Sequence, residues 1–161
     1  MDLEATVRAL KDRVDIVETM SRYAAAIDVS DFATLRTTLA DDITAQYANM
    51  HDEPLEGADA VVAWVDQATK GKIWQHHLIN VYTVDIEGDT AKVLVYHTSL
   101  QNYDRAPETA DVLVGRYHNE FVRTPDGWKI SRLLLEVLWG EQRQDAVGYF
   151  ETVGGRGPIL P

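Results

Sequence analysis

Ile73-Trp74-Gln75-His76-His77-Leu78-Ile79-Asn80-Val81 is the stretch at which the hydrophobic period of this chain changes. Upstream of it, apolar residues recur every three or four positions, the spacing of helices. From it onward they recur every second position, the spacing of strands. Four such β runs follow one another, Ile73–Ile86, Thr90–Tyr103, Asp111–Arg123 and Trp128–Trp139. Glu87-Gly88-Asp89 and Thr124-Pro125-Asp126-Gly127 join them as short glycine-bearing hairpin turns, and Asp104 to Thr109 as a looser polar loop. Helices first and a β-meander afterwards is the α+β order, which predicts a curved antiparallel sheet packed against about three N-terminal helices. The concave space between such a sheet and its helices is where a ligand site is expected.

Working upstream, Leu3, Val7, Leu10, Val14 and Val17 alternate steps of four and three, and Met20, Ala24 and Ile27 continue the stripe. This predicts one amphipathic helix over residues 3–27 whose stripe packs on the chain's own sheet, a coiled-coil contact with a second chain being the other use of such a pattern. Ser30 or Asp31 is placed to cap a second helix from Phe32 to about Leu39. Ile43 to Ala48 reads as a short strand, and Gly57 to Thr69 as a third helix with Val61, Val62, Trp64 and Val65 on or near its buried side. Downstream of the sheet, the segment from Thr152 has no periodicity and reads as a frayed end or a flap.

A chain of 161 residues fits one domain, here residues 1–161, and 45% apolar with 25% charged residues is ordinary for a globular protein. The formal charge of −11 gives a field that repels phosphate backbones and anionic membranes, so neither is an expected partner. No cysteine is present, which removes thiolate nucleophiles and thiolate metal sites. Met1-Asp2-Leu3-Glu4-Ala5 has neither a basic nor an apolar leader region, so a cytoplasmic protein is expected.

The residues with chemistry are then histidines, carboxylates and phenols. His77, His97 and His118 stand on three successive β runs, while His51 falls in a polar loop. His76 and His77 are adjacent on one run, so they point to opposite faces, and alternation alone leaves open which one enters the cavity. Dispersed imidazoles without a ligand spacing are weak grounds for a metal, and none is expected. Asp28 follows Tyr23-Ala24-Ala25-Ala26-Ile27 at the helix end, where a carboxylate faces the negative pole of the helix at a cost of a few tenths to ~1 kcal/mol unless a donor compensates. An imidazole is such a donor, and a histidine held by a carboxylate is the common base near neutral pH because free imidazole titrates near ~6.5. Gly154-Gly155-Arg156-Gly157 opens no helix and serines occupy no nucleophile elbow, leaving acid–base chemistry without a cofactor. Tyr47, Trp64 and Trp74 are expected to line an apolar pocket, and Tyr117 is a further pocket candidate.

Tyr23 with Asp28, His77-Leu78-Ile79-Asn80, Gly115-Arg116-Tyr117-His118-Asn119-Glu120-Phe121, Asp126-Gly127-Trp128-Lys129-Ile130 and Trp139-Gly140-Glu141 together resemble the SnoaL-like branch of the nuclear-transport-factor-two-like superfamily. The likeness is to its cofactor-free lyases, such as scytalone dehydratase, γ-hexachlorocyclohexane dehydrochlorinase and bile-acid 7α-dehydratase. It implies a cone-like α+β fold, and a strand histidine as base oriented by a helix-end aspartate, which by motif position are His77 and Asp28. It also implies a tyrosine, Tyr23, donating to the substrate or leaving group, with His97 and Arg123 as further substrate contacts. The implied reaction is elimination on a small apolar, cyclic or aromatic substrate. Isomerisation or cyclisation by the same base is the near alternative, and a non-catalytic small-subunit or binding module the distant one. A homo-oligomer, trimer or dimer, is implied as well.

Overall fold

The computed structural model describes residues 2–144, so the segment from Thr152 expected to be a frayed end or a flap lies outside the described residues. Helix α1 (Leu3–Asp28) and α2 (Phe32–Thr37) are followed by β1 (Leu39–Tyr47), β2 (Leu55–Glu56) and α3 (Ala58–Thr69). The meander β3 (Lys72–Glu87), β4 (Thr90–Tyr103), β5 (Ala106–Thr124) and β6 (Gly127–Arg143) completes the fold. Each start has a local cause. Asp2 accepts from the backbone N–H groups of Glu4 and Ala5, and Asp31, one of the two expected caps, accepts from Thr34 at 2.9 Å. Gly88 and Gly127 take positive φ angles at the two hairpin turns, a conformation that favours glycine.

The six strands form one open sheet in the order β2-β1-β6-β5-β4-β3, with the three helices packed against it. The expectation of a purely antiparallel sheet is corrected at one seam, where β1 runs parallel to β6. Strand β1 is reached through two helices rather than a hairpin, so no turn imposes antiparallel pairing on it. Helix α3 then carries the chain from β2 at one edge of the sheet to β3 at the other, and this leaves a partly open space between sheet and helices.

The apolar stripe of α1 is a second correction. Leu3 is 73% exposed and Val17 still 39%, with Val7, Leu10 and Val14 exposed between them. Met20, Ala24 and Ile27, which continue the stripe, are buried as expected, and the face that packs on the sheet is completed by Asp12, Ile16, Thr19 and Tyr23. The helix has two apolar faces that merge toward its C-terminal half, and regular spacing identifies a face without saying what lies opposite it.

Two irregularities in the β3–β4 register determine which side chains face inward. Between them, Ile79 and Val81 alternate into the core with His77; after the shift between Val81 and Thr83 the inward residues are Val84 and Ile86. The other shift, between Lys72 and Trp74, brings Lys72 to the inner face together with Gln75 and His77.

Candidate active site

The end of α1 meets the middle of β3 through one carboxylate. Asp28 Oδ2 accepts from the His77 backbone N–H at 3.0 Å, and Asp28 Oδ1 lies 2.6 Å from His77 Nδ1. A carboxylate only accepts, so Nδ1 carries the proton and donates it, which makes Nε2 the unprotonated nitrogen of the neutral ring. These two donors compensate the unfavourable position of Asp28 at the helix C-terminus. His77 lines the cavity with its side chain 10% exposed, whereas His76, on the other face, is largely in water and 3.9 Å from Asp28.

The strand register places His97 beside this pair. Ser99 is the direct partner of His77 on β4, and His97 lies two residues away on the same face. The two imidazoles stack with centroids 5.5 Å apart, and the other side of His97 packs at 5.0 Å on Tyr117 of β5. Burial, reinforced by the neighbouring His77, pulls His97 down to about 4, so its ring is neutral at physiological pH. Its Nδ1 is buried without a hydrogen-bond partner among the described residues. Gly115 stands opposite His97 on β5, and a Cβ there would come within 2.5 Å of the Glu136 carbonyl oxygen and 3.4 Å of His97 Nδ1. Glycine is what lets the ring and the neighbouring strand approach this closely.

Phenols close the inner end. The Tyr23 and Tyr47 hydroxyls are 2.8 Å apart, the Tyr23 and Tyr117 rings meet edge to face, and Tyr47 stacks on Trp64 of α3 at 4.4 Å. Desolvation raises the pKa values of all three tyrosines, so they remain protonated hydrogen-bond donors. Together these groups line a cavity of about 140 Å³. A space of that size, comparable to the ~150 Å³ cavity that accepts benzene in another protein, holds one six-membered ring.

The structure thus brings Asp28, His77, His97, Tyr23, Tyr47, Trp64 and Tyr117 to one place. It does not bring Arg123. That side chain lies near the N-terminal half of α1, where it grips both oxygens of Asp12 at 2.5 and 2.8 Å, donates to Asp89 and covers the Trp128 ring. Trp74 is likewise not among the cavity-lining residues, since it alternates away from Gln75 and His77. His118 does not join His77 and His97: it sits half exposed with Nε2 2.9 Å from Glu136. Sequence reasoning missed Lys72, Gln75, Ser99 and Gln101. The last three share the inward parity of His77 and His97, a signal present in the sequence; Lys72 is inward only because of the register shift.

The SnoaL-like domain model matches residues 8–133 of this sequence. The chain belongs to the SnoaL-like domain family. An uncharacterized protein of Mycobacterium tuberculosis is 29% identical over 133 residues, covering 79% of this chain and 86% of its own. Among solved structures, this SnoaL-like domain is similar to a protein of Kribbella flavida at 27% identity, with a TM-score of 0.77 and coverage of 83% and 95% of the two chains. It shares its fold with a hexachlorocyclohexane dehydrochlorinase of Novosphingobium barchaimii, at 15% identity, a TM-score of 0.76 and coverage of 97% and 99%. A Novosphingobium aromaticivorans protein provisionally named scytalone dehydratase has the same fold, at 19% identity, a TM-score of 0.77 and coverage of 86% and 92%. No helix among the described residues is long and apolar enough to cross a membrane.

Proposed function

We propose that this SnoaL-like domain is a cofactor-independent lyase, of dehydratase or dehydrohalogenase type, in which His77 is the general base. One observation carries the reading: Asp28 takes up both the backbone N–H and the Nδ1–H of His77, leaving Nε2 as the basic nitrogen of a ring that lines the cavity. Nε2 removes a proton from a carbon next to an activating group. The C–H electron pair becomes the new C=C bond, and the leaving group departs with the pair of its own bond. Asp28 fixes the tautomer and stabilises the imidazolium formed, as carboxylates do in hydrolase triads. His97, held neutral by burial, adds no positive charge beside that imidazolium. The leaving group is assigned to the phenol pair, because Tyr23 and Tyr47 keep their protons and are already joined by a hydrogen bond. The likeness to the family also implies a homo-oligomer, trimer or dimer, which sedimentation checks.

A positioned base of this kind contributes typically ~10²–10⁴-fold, enough for a substrate whose proton is already acidified by a carbonyl or a halogen. The test is a panel of single-ring β-hydroxy ketones and chlorinated rings incubated in deuterated water and followed by NMR. The wild-type protein is expected to release the leaving group and form the alkene from at least one of them, while His77→Ala does not. A product in which the double bond has moved, with deuterium at the new position and the leaving group retained, would instead identify an isomerase. Equal rates for the wild-type protein and His77→Ala would sink the base assignment.

A further inference from the structure

Among the described residues that line the cavity, Lys72, the first residue of β3, is the one lysine or arginine, and none of them is a carboxylate. Its ammonium group donates to Gln75 Oε1 at 3.0 Å, and the Gln75 amide is itself anchored by donation to the Ile27 carbonyl at the end of α1. The Tyr103 ring lies 5.6 Å from the same nitrogen. An ammonium has three donors, and one neutral carbonyl oxygen uses only one of them. Among the described residues no carboxylate is within ion-pairing distance of it, although 26 Asp and Glu residues give the chain a net charge of −11. A half-buried lysine without a counter-ion at ion-pairing distance is less favourable than one in water, and an incoming anion would compensate it.

We propose that Lys72 selects the substrate, and that this substrate is a single six-membered ring carrying an anionic oxygen group, a carboxylate or phenolate, seated on the Lys72 ammonium. This deepens the lyase reading and rests on it only in taking the cavity as the substrate site. The cavity volume accommodates one ring, and the Gln75–Lys72 pair supplies the charge. Lys72 and His77 stand on the same strand five residues apart, so the anionic group and the reacting C–H lie toward different ends of one ring. Desolvation supports this by lowering the Lys72 pKa to about 8, against the opposing fields of Asp28 on α1 and Asp111 on β5. Tyr103 on β4, whose pKa is raised chiefly by burial, stays protonated beside it.

Benzoate and benzamide test the proposal, since they share a ring and a size and differ in charge. Titration calorimetry at neutral pH is expected to show benzoate binding the wild-type protein between about ten- and a hundredfold more tightly than benzamide, the range of one charge-assisted hydrogen bond. Lys72→Met should erase that preference and Lys72→Arg should keep it. Raising the pH of the wild-type titration above about 8 should weaken benzoate and leave benzamide unchanged, a check that needs no variant to fold. His77→Ala should keep the benzoate preference, so a failed base assignment and a failed anion assignment give different results. Equal binding of the two probes, no binding of either, or a preference that survives in Lys72→Met would overturn the proposal.

Discussion

Helix α1 presents two aspartates to the sheet, and the two surroundings differ in one respect. Asp12 meets a permanent cation: Arg123 binds it with two donors, the Trp128 indole N–H adds a third at 3.0 Å, and the guanidinium lies 4.4 Å over the Trp128 ring. Asp28, sixteen residues further along α1, meets an imidazole and a backbone N–H. An arginine never gives up its proton in a protein, so the first cluster locks helix to sheet. An imidazole has a second nitrogen, so the second cluster holds its partner just as firmly and still has a site at which a proton can arrive. An aspartate on this helix thus holds either a permanent cation or a titratable ring, according to what the sheet sets against it.

The largest expected difference between the two is in turnover. His77→Ala should lower the rate on a true substrate by roughly 10²–10⁴-fold while the folded protein is retained, as circular dichroism and a kinetic assay would show together. Arg123→Ala should do the reverse. It leaves Asp12 buried without its cation, which costs about 3 kcal/mol at the lower end for a broken buried pair because Arg123 is a third exposed, and turnover per folded molecule is unchanged. Chemical denaturation with the two variants side by side checks both halves; an Arg123→Ala protein of full stability and reduced activity would exchange the roles assigned here.

A smaller effect comes from Gly115→Ala. The added methyl meets the Glu136 carbonyl at 2.5 Å and should cost about 1–3 kcal/mol in a denaturation experiment, with His97 displaced from His77. The two regions also separate in acid. His97 has a depressed folded pKa, so the stability it contributes is complete above its unfolded value near 6.5 and is lost as pH falls toward about 4. The guanidinium beside Asp12 holds its carboxyl at about 2, so its contribution is present above about 4 and is lost as pH falls toward 2. Stability measured against pH should therefore fall in two stages, and His97→Asn should remove only the first. A single stage, or loss of the lower one in that variant, would show that the assignments are misplaced.

Much of this was legible in the residues themselves. The change of period at Ile73 marks the start of the meander, and a helix-end Asp28 with a strand His77 was recognisable as a pair although 49 residues separate them. What escaped shares a cause, since each case depends on what lies opposite in space. The parallel seam between β1 and β6 follows from where two helices deliver the chain. The exposed stripe from Leu3 to Val17 is as regular as a buried one. Arg123 could be assigned to a substrate because nothing local announces Asp12, 111 residues away, as its partner. Lys72 reads as the far side of a helix stop until the register shift before Trp74 turns it inward.

The central claim, that the same carboxylate leaves His77 with a free basic nitrogen, is tested most directly by the ring ¹⁵N chemical shifts of His77 at neutral pH. The geometry at Asp28 predicts a protonated Nδ1 and an unprotonated Nε2, with that preference lost in Asp28→Asn. A proton on Nε2 in the neutral wild-type ring, or a tautomer indifferent to Asp28, would contradict it.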